Sequence, residues 1–154
     1  CGDTPLLRAA TLHGLLEQHA AAGAAVTVLS TRVPDPRGYG RIVRDATDGI
    51  AAIVEERDAT PQQMTIDEIN SGIYAFRYPV LEAVLGGLTA HNAQGEYYLT
   101  DTVSLIQQAG HPAAVLCAEE WRELLGINTP AQLAEAERLH ATLKNALGPG
   151  AGRR

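Results

Sequence analysis

Cations are scarce in this chain: Lys and Arg number 12 against 18 Asp and Glu, a formal net charge of −6. Affinity for a nucleic-acid backbone needs clustered cations, so that partner is not expected. Cysteine is scarcer still. Cys1 and Cys117 are the two present, with neither the paired spacing of a metal site nor the density of a disulfide framework, which fits a reducing cytosol. No apolar run approaches the ~20 residues of a membrane span, and no charged segment leads into a short apolar core as in a signal peptide. A soluble, cytoplasmic protein is expected. Gly-x-Ser-x-Gly, Gly-x-x-x-x-Gly-Lys-Ser/Thr and Gly-x-Gly-x-x-Gly do not occur, which takes support from hydrolase, P-loop and Rossmann dinucleotide readings. The five histidines, at positions 13, 19, 91, 111 and 140, lack the His-x-x-x-His or Cys/His spacing that zinc needs.

What is present is the composition of a folding chain, 45% apolar and 19% charged over 154 residues. That is enough for one core and too little for two. Leu12, Leu15, Leu16 and His19 mark one face of a helix over about residues 9–22, stopped by Gly23. Val26, Val28, Leu29 and Val33 make residues 24–33 a buried strand. Residues 41–44 and 50–56 are short apolar runs around Asp45-Ala46-Thr47-Asp48-Gly49, the pattern of a hairpin with a longer loop. Gly38-Tyr39-Gly40, just before it, permits either a close backbone approach to a ligand or a tight turn. Residues 66–78 read as a long strand interrupted by Asn70-Ser71-Gly72, a sign of a bulge or of something approaching closely. Pro79 suits the start of a helix carrying Val80, Leu81, Val84, Leu85 and Leu88. Residues 92–101 are a polar loop turning into a helix near Tyr98 that ends at Gly110. They are either a surface connection or a loop delivering side chains at a helix start. Residues 113–118 form a short buried strand, residues 119–125 a loop or helical turn, and Thr129 caps a final helix lined by Leu133, Leu139, Leu143 and Leu147.

Strands alternating with helices around one antiparallel insertion give an α/β sheet with helices on its faces. Ligands in such open sheets lie beyond the carboxyl ends of strands, which directs attention to loops holding Asp3, Gly40, residues 92–101 and Asn128. The oxygen donors Asp3, Glu55, Glu96, Asp101 and Asn128 suit a hard cation such as Mg²⁺, held by one or two protein groups and otherwise by phosphate and water. The start, Cys1-Gly2-Asp3-Thr4-Pro5, reads as the exit of a strand with no strand sequence before it, so the chain is expected to be part of a longer one. Residues 1–147 are expected to be the folded portion and 148–154 a disordered tail. A sheet lacking its first strands would leave an uncovered edge, a source of instability or aggregation.

Six segments carry a resemblance in order and spacing. They are Gly2-Asp3-Thr4-Pro5-Leu6, Gly38-Tyr39-Gly40-Arg41-Ile42-Val43-Arg44 and Ile53-Val54-Glu55-Glu56-Arg57-Asp58-Ala59-Thr60. The others are Glu68-Ile69-Asn70-Ser71-Gly72-Ile73-Tyr74, Asn92-Ala93-Gln94-Gly95-Glu96-Tyr97-Tyr98-Leu99-Thr100-Asp101 and Gly126-Ile127-Asn128. Over about residues 1–145 the sequence resembles the uridyltransferase domain of the bifunctional bacterial N-acetylglucosamine-1-phosphate uridyltransferase/glucosamine-1-phosphate acetyltransferase.

The resemblance implies a mixed, mostly parallel nucleotidyltransferase sheet (GT-A-like, Rossmann-related) with the β-hairpin insertion and without its N-terminal nucleotide-binding half. It implies transfer of a uridylyl group from UTP to N-acetylglucosamine 1-phosphate, giving UDP-N-acetylglucosamine and pyrophosphate for the cell envelope. It places Asp3 and Asn128 as ligands of Mg²⁺, Gly40, Glu55 and Asn70 around the N-acetylglucosamine moiety, and Tyr98 and Thr100 on the sugar-phosphate side. The family's glycine-rich nucleotide loop, with its phosphate-contacting Arg and Lys, and its trimer-forming acetyltransferase domain have no counterpart in this sequence. The isolated chain is therefore expected to be inactive. The alternatives are a non-catalytic sugar-phosphate-binding or interaction module, and a pyrophosphorylase for another sugar 1-phosphate. Cys1 and Thr129-Pro130 depart from the family's usual residues beside Asp3 and Asn128.

Overall fold

A computed structural model describes residues 3–127 and 129–146. Asn128 and the tail at 148–154 therefore lie outside the described residues, as do Cys1, Gly2 and Leu147.

The chain runs from helix α1 (Ala9–Ala21) into strand β1 (Val26–Arg32), then through a hairpin of β2 (Arg41–Arg44) and β3 (Ile50–Val54). Two single 3₁₀ turns, Glu56–Asp58 and Gln63–Thr65, lead to β4 (Glu68–Phe76). Helices α2 (Tyr78–Leu85) and α3 (Asp101–Gln108), strand β5 (Ala113–Ala118), a 3₁₀ turn (Trp121–Leu124) and helix α4 (Pro130–Ala146) complete it. The sheet order is β3-β2-β4-β1-β5.

Strand β1 lies between β4 and β5, and its apolar run lets it be buried on both faces. Val26 and Val28 pack with Ile42, Ile50, Ile53, Val103 and Ile106 on the face under α3, whereas Leu29 packs with Leu15 of α1, Ala75 and Leu124 on the other. Its buried polar side chains are all bonded. Thr27 meets His19 Nδ1 at 2.9 Å, Ser30 Oγ donates to Glu68 Oε1 at 2.5 Å, and Thr31 Oγ1 donates to the Ala118 carbonyl at 2.8 Å.

The α/β class, the flanking helices and the hairpin insertion are as the sequence reads. The balance of strand directions among the described residues is not mostly parallel: β1 and β5 are parallel, while β1–β4, β2–β3 and β2–β4 are antiparallel. The hairpin insertion pairs antiparallel, and β4 runs back along β1 after the hairpin and two 3₁₀ turns that separate them in the chain. Helix α1 also differs from its pattern. Only Leu15 of the helix is fully buried, packed with Leu29, Ala75 and Leu124, while Leu16 is 59% exposed. Helix α3 begins at Asp101, later than expected, and the Asp101, Thr102 and Val103 N–H groups donate in turn bonds to the Tyr98, Leu99 and Thr100 carbonyls.

Two features set the geometry where the hairpin meets β4. Opposite Leu29 and Ser30 the register of β4 jumps from Ile73 to Asn70, so Ser71 and Gly72 form a bulge, with Gly72 at φ +76°. Ser71 Oγ fastens the bulge by donating to the Leu29 carbonyl at 2.7 Å. The hairpin, for its part, meets β4 in the ladder only at Arg41 opposite Ile69, supplemented by Asn70 N–H donating to the Gly40 carbonyl at 2.9 Å. Much of β4 thus has a ladder partner on its β1 side alone.

Candidate functional site

The sugar-side residues read from the sequence meet where the base of the hairpin touches the β4 bulge. Gly40 ends the loop entering β2, and Glu55 follows β3, so antiparallel pairing brings the two together. A Cβ built on Gly40 would lie 3.3 Å from both carboxylate oxygens of Glu55. Gly40 is itself buried, and its carbonyl holds the Asn70 N–H. Buried Thr100 donates its hydroxyl to Glu55 Oε1 at 3.1 Å. That bond explains a local oddity: Thr100 sits at the N-cap of α3 yet makes no capping bond, its hydroxyl being committed to Glu55.

Tyr98 joins this group through Asp58. Its hydroxyl donates to Asp58 Oδ2 at 3.2 Å and accepts from Gln94 Nε2 at 2.8 Å, while Asp58 Oδ1 accepts the Ala93 N–H at 2.8 Å. Desolvation, with the Asp58 and Glu55 charges adding, holds the Tyr98 phenol above its ordinary range despite the Gln94 bond, so it remains an O–H donor. Residues 92–101 are therefore tied at both ends to the 3₁₀ turn after β3. They link α2 to α3 rather than following a strand, which corrects their expected place beyond a strand end.

Supporting groups brace the loop before Gly40. Arg41, 1% exposed, donates to the Tyr39 carbonyl and pairs with Glu56 at 3.4 Å, and Glu56 also accepts the Gly38 N–H at 2.9 Å. The sequence reading missed Asp58, the Arg41–Glu56 pair and Tyr74. Tyr74 was within reach of it: residues 70 and 74 share a strand face by the two-residue period, and the Tyr74 hydroxyl does donate to Asn70 Oδ1 at 3.0 Å.

The crowding at Gly40 gives a first prediction. Its φ is not in the left-handed region, so alanine is compatible with the backbone and lowers unfolded-state entropy, a gain of about 0.4–1 kcal/mol. Its methyl must push the Glu55 carboxylate by a few tenths of an ångström, which strains the Thr100 bond. Gly40→Ala is expected to keep its unfolding free energy within about 1 kcal/mol of the parent; a larger loss in urea unfolding would contradict it.

Of the two residues assigned to a metal, Asp3 is exposed and its carbonyl accepts the Ile127 N–H at 2.7 Å. This draws the segment that leads to Asn128 beside Asp3, Asn128 itself being outside the described residues. Among the described residues no cluster of three or more His, Cys, Asp or Glu is placed to hold a metal, and no helix is long and apolar enough to cross a membrane.

Residues 2–139 match the family model described as nucleotidyl transferase. The chain belongs to the nucleotidyl transferase family. This nucleotidyl transferase chain is 55% identical over 139 residues to the bifunctional protein GlmU of Thermobifida fusca (strain YX), covering 90% of the chain and 29% of the relative. With GlmU of Streptomyces griseus subsp. griseus the identity is 54% over 140 residues, again 90% and 29%. The chain thus spans less than a third of the length of these relatives. A solved structure of CMP:2-keto-3-deoxy-manno-octonic acid synthetase complexed with CTP superposes with a TM-score of 0.61 at 18% identity, covering 93% of this chain and 60% of that one. That likeness supports the nucleotidyltransferase fold. The bifunctional relatives agree with the resemblance read from the six segments.

Proposed function

We propose that this chain is the sugar-binding portion of an enzyme that transfers a uridylyl group from UTP to N-acetylglucosamine 1-phosphate, releasing pyrophosphate. The observation that carries the reading is the convergence of Gly40, Glu55, Asn70 and Thr100, drawn from four separate segments, onto one polar corner of the sheet. Glu55 Oε1 is taken by Thr100, which leaves Oε2 to accept a sugar hydroxyl, and Asn70 is tied to the same corner through its N–H on the Gly40 carbonyl. The already anionic sugar phosphate needs no general base to attack the α-phosphate of UTP. Asp3 is a single hard oxygen donor, which fits Mg²⁺ held by one or two protein groups, with Asn128 as the second. That ion would neutralise the phosphate charge. The activity belongs to a protein that includes this chain, since the relatives are more than three times its length.

The test is titration of UDP-N-acetylglucosamine, with Mg²⁺, into the 154-residue chain, with UDP-glucose as the second arm. Saturable binding is expected, weakened when Mg²⁺ is withheld or Asp3→Asn is introduced. Equal affinity for both nucleotide sugars would favour a pyrophosphorylase of another sugar 1-phosphate. No binding by a chain shown to be folded would overturn the reading.

A further inference from the structure

The orientation of the Asn70 carboxamide is fixed by its neighbours. In a primary amide the oxygen only accepts and the nitrogen only donates, and which atom stands where follows from the partners. The Gly72 backbone N–H, which can only donate, lies 3.1 Å from one terminal atom of Asn70, so that atom is Oδ1. The Tyr74 hydroxyl donates to the same oxygen at 3.0 Å. Both lone pairs of Oδ1 are then used. Nδ2 bonds to no described residue and is not among the buried side-chain atoms lacking a partner, so it is accessible. Tyr74 is held for this task by its stack on Phe76, with ring centroids 5.4 Å apart. Burial, with the Glu55 charge adding, pushes its phenol well above the usual range against the lowering effect of the Asn70 bond, so it stays protonated, and facing an oxygen it is the donor.

We propose that Tyr74 is a positioning residue which, with the Gly72 N–H, locks Asn70 as a one-way donor, so that the pocket selects a sugar carrying an acceptor beside its hydroxyls. The inference rests on the sugar-phosphate reading and adds its selectivity. An acetamido group supplies a carbonyl acceptor to Nδ2. A free amino group, protonated at neutral pH, offers only donors and leaves the locked amide facing a like partner. Glu55 cannot make this choice, because its free oxygen accepts from hydroxyl and ammonium alike.

The experiment compares N-acetylglucosamine 1-phosphate with glucosamine 1-phosphate on the 154-residue chain, Tyr74→Phe and Asn70→Asp. The parent is expected to prefer the N-acetylated sugar. Tyr74→Phe removes one of two locks, so affinity for that sugar falls about three- to tenfold while glucosamine 1-phosphate binding stays level. Asn70→Asp keeps both bonds to its neighbours, replaces the donor with an acceptor, and is expected to invert the preference. Equal losses for both sugars in Tyr74→Phe, or an unchanged preference in Asn70→Asp, would overturn the proposal. Water exchange of the Gly72 amide, read by NMR, decides the lock without any ligand. In Tyr74→Phe it should quicken about three- to tenfold while the β1–β4 ladder amides stay as they were. An unchanged Gly72 rate, or one rising together with the whole ladder, refutes the positioning role. If the parent binds neither sugar, the proposed function fails, and the Gly72 rate still settles the lock.

Discussion

Changing Glu55 to glutamine is expected to weaken N-acetylglucosamine 1-phosphate binding by about 10- to 150-fold, the equivalent of about 1.5–3 kcal/mol for a hydrogen bond to a charged acceptor. Glutamine can still accept the Thr100 hydroxyl through its oxygen, so the wall of the pocket keeps its shape. What changes is the other terminal atom, which turns from an anionic acceptor into a donor and faces sugar hydroxyls without a charge. The mutation touches no ion pair of the fold, and its effect on stability is expected to stay within about 0.5 kcal/mol. Isothermal titration paired with a thermal melt separates the two. An affinity within twofold of the parent would remove Glu55 from the site.

The second large effect concerns stability. Glu68, 1% exposed, stands where β1, β2 and β4 meet. It accepts from Ser30 Oγ at 2.5 Å, from Arg44 Nη2 and Nε at 2.6 and 3.0 Å, and from Arg32 Nη2 at 3.4 Å. Glu68→Ala is expected to destabilise the chain by about 3 kcal/mol, the low end for breaking a buried pair. Arg32, 60% exposed, turns to water freely, and Arg44, at 22%, does so in part. The melting temperature should fall by about 6–12 °C for a domain of this size.

The same carboxylate makes the loss depend on acid. Burial alone would raise its pKa, but the Arg44 and Ser30 hydrogen bonds and the Arg44 and Arg32 charges outweigh burial and hold it below the ordinary carboxylate value. A group whose folded pKa lies below its unfolded value of about 4.3 stabilises the fold above that value and loses the contribution as pH falls through the folded pKa. The gap between parent and variant should therefore be full near neutrality and narrow below about pH 4. Urea midpoints measured between pH 7 and 3 check this. A gap that stays constant across that range would show that the charge of Glu68 is not what holds the strands.

Glu68 also shows where reading the sequence stops. The strand holding it was legible, as were the hairpin and the interruption at Asn70-Ser71-Gly72, because two-residue alternation and turn residues are local signals. That a carboxylate in β4 would find Ser30 in β1 and Arg44 in β2 is decided by strand order and register, which no local window contains. The site divides the same way. Gly40, Glu55, Asn70 and Thr100 were nameable from ordered motifs, and three-dimensional pairing brings them together. The part of Asp58 depends on the loop at 92–101 folding back onto it, which no local window contains. The exposed face of α1 misled for the converse reason: helical spacing reports which residues are apolar, not how wide a strip the sheet has room to cover.

The β4 bulge contains two residues, and that parity matters. One extra residue would turn every side chain beyond it to the opposite face of the sheet; two restore the alternation. Leu29 pairs with Ile73 before the bulge and Ser30 with Asn70 beyond it, and Ser30 and Glu68 still meet side chain to side chain. The sheet therefore depends on the number inserted being even, while the Gly72 N–H ties the insertion to the Asn70 side chain. Ser71, bonded to the Leu29 carbonyl, and Gly72, at a positive φ, are both held in place, and deleting either one would turn the side chains beyond the bulge to the wrong face.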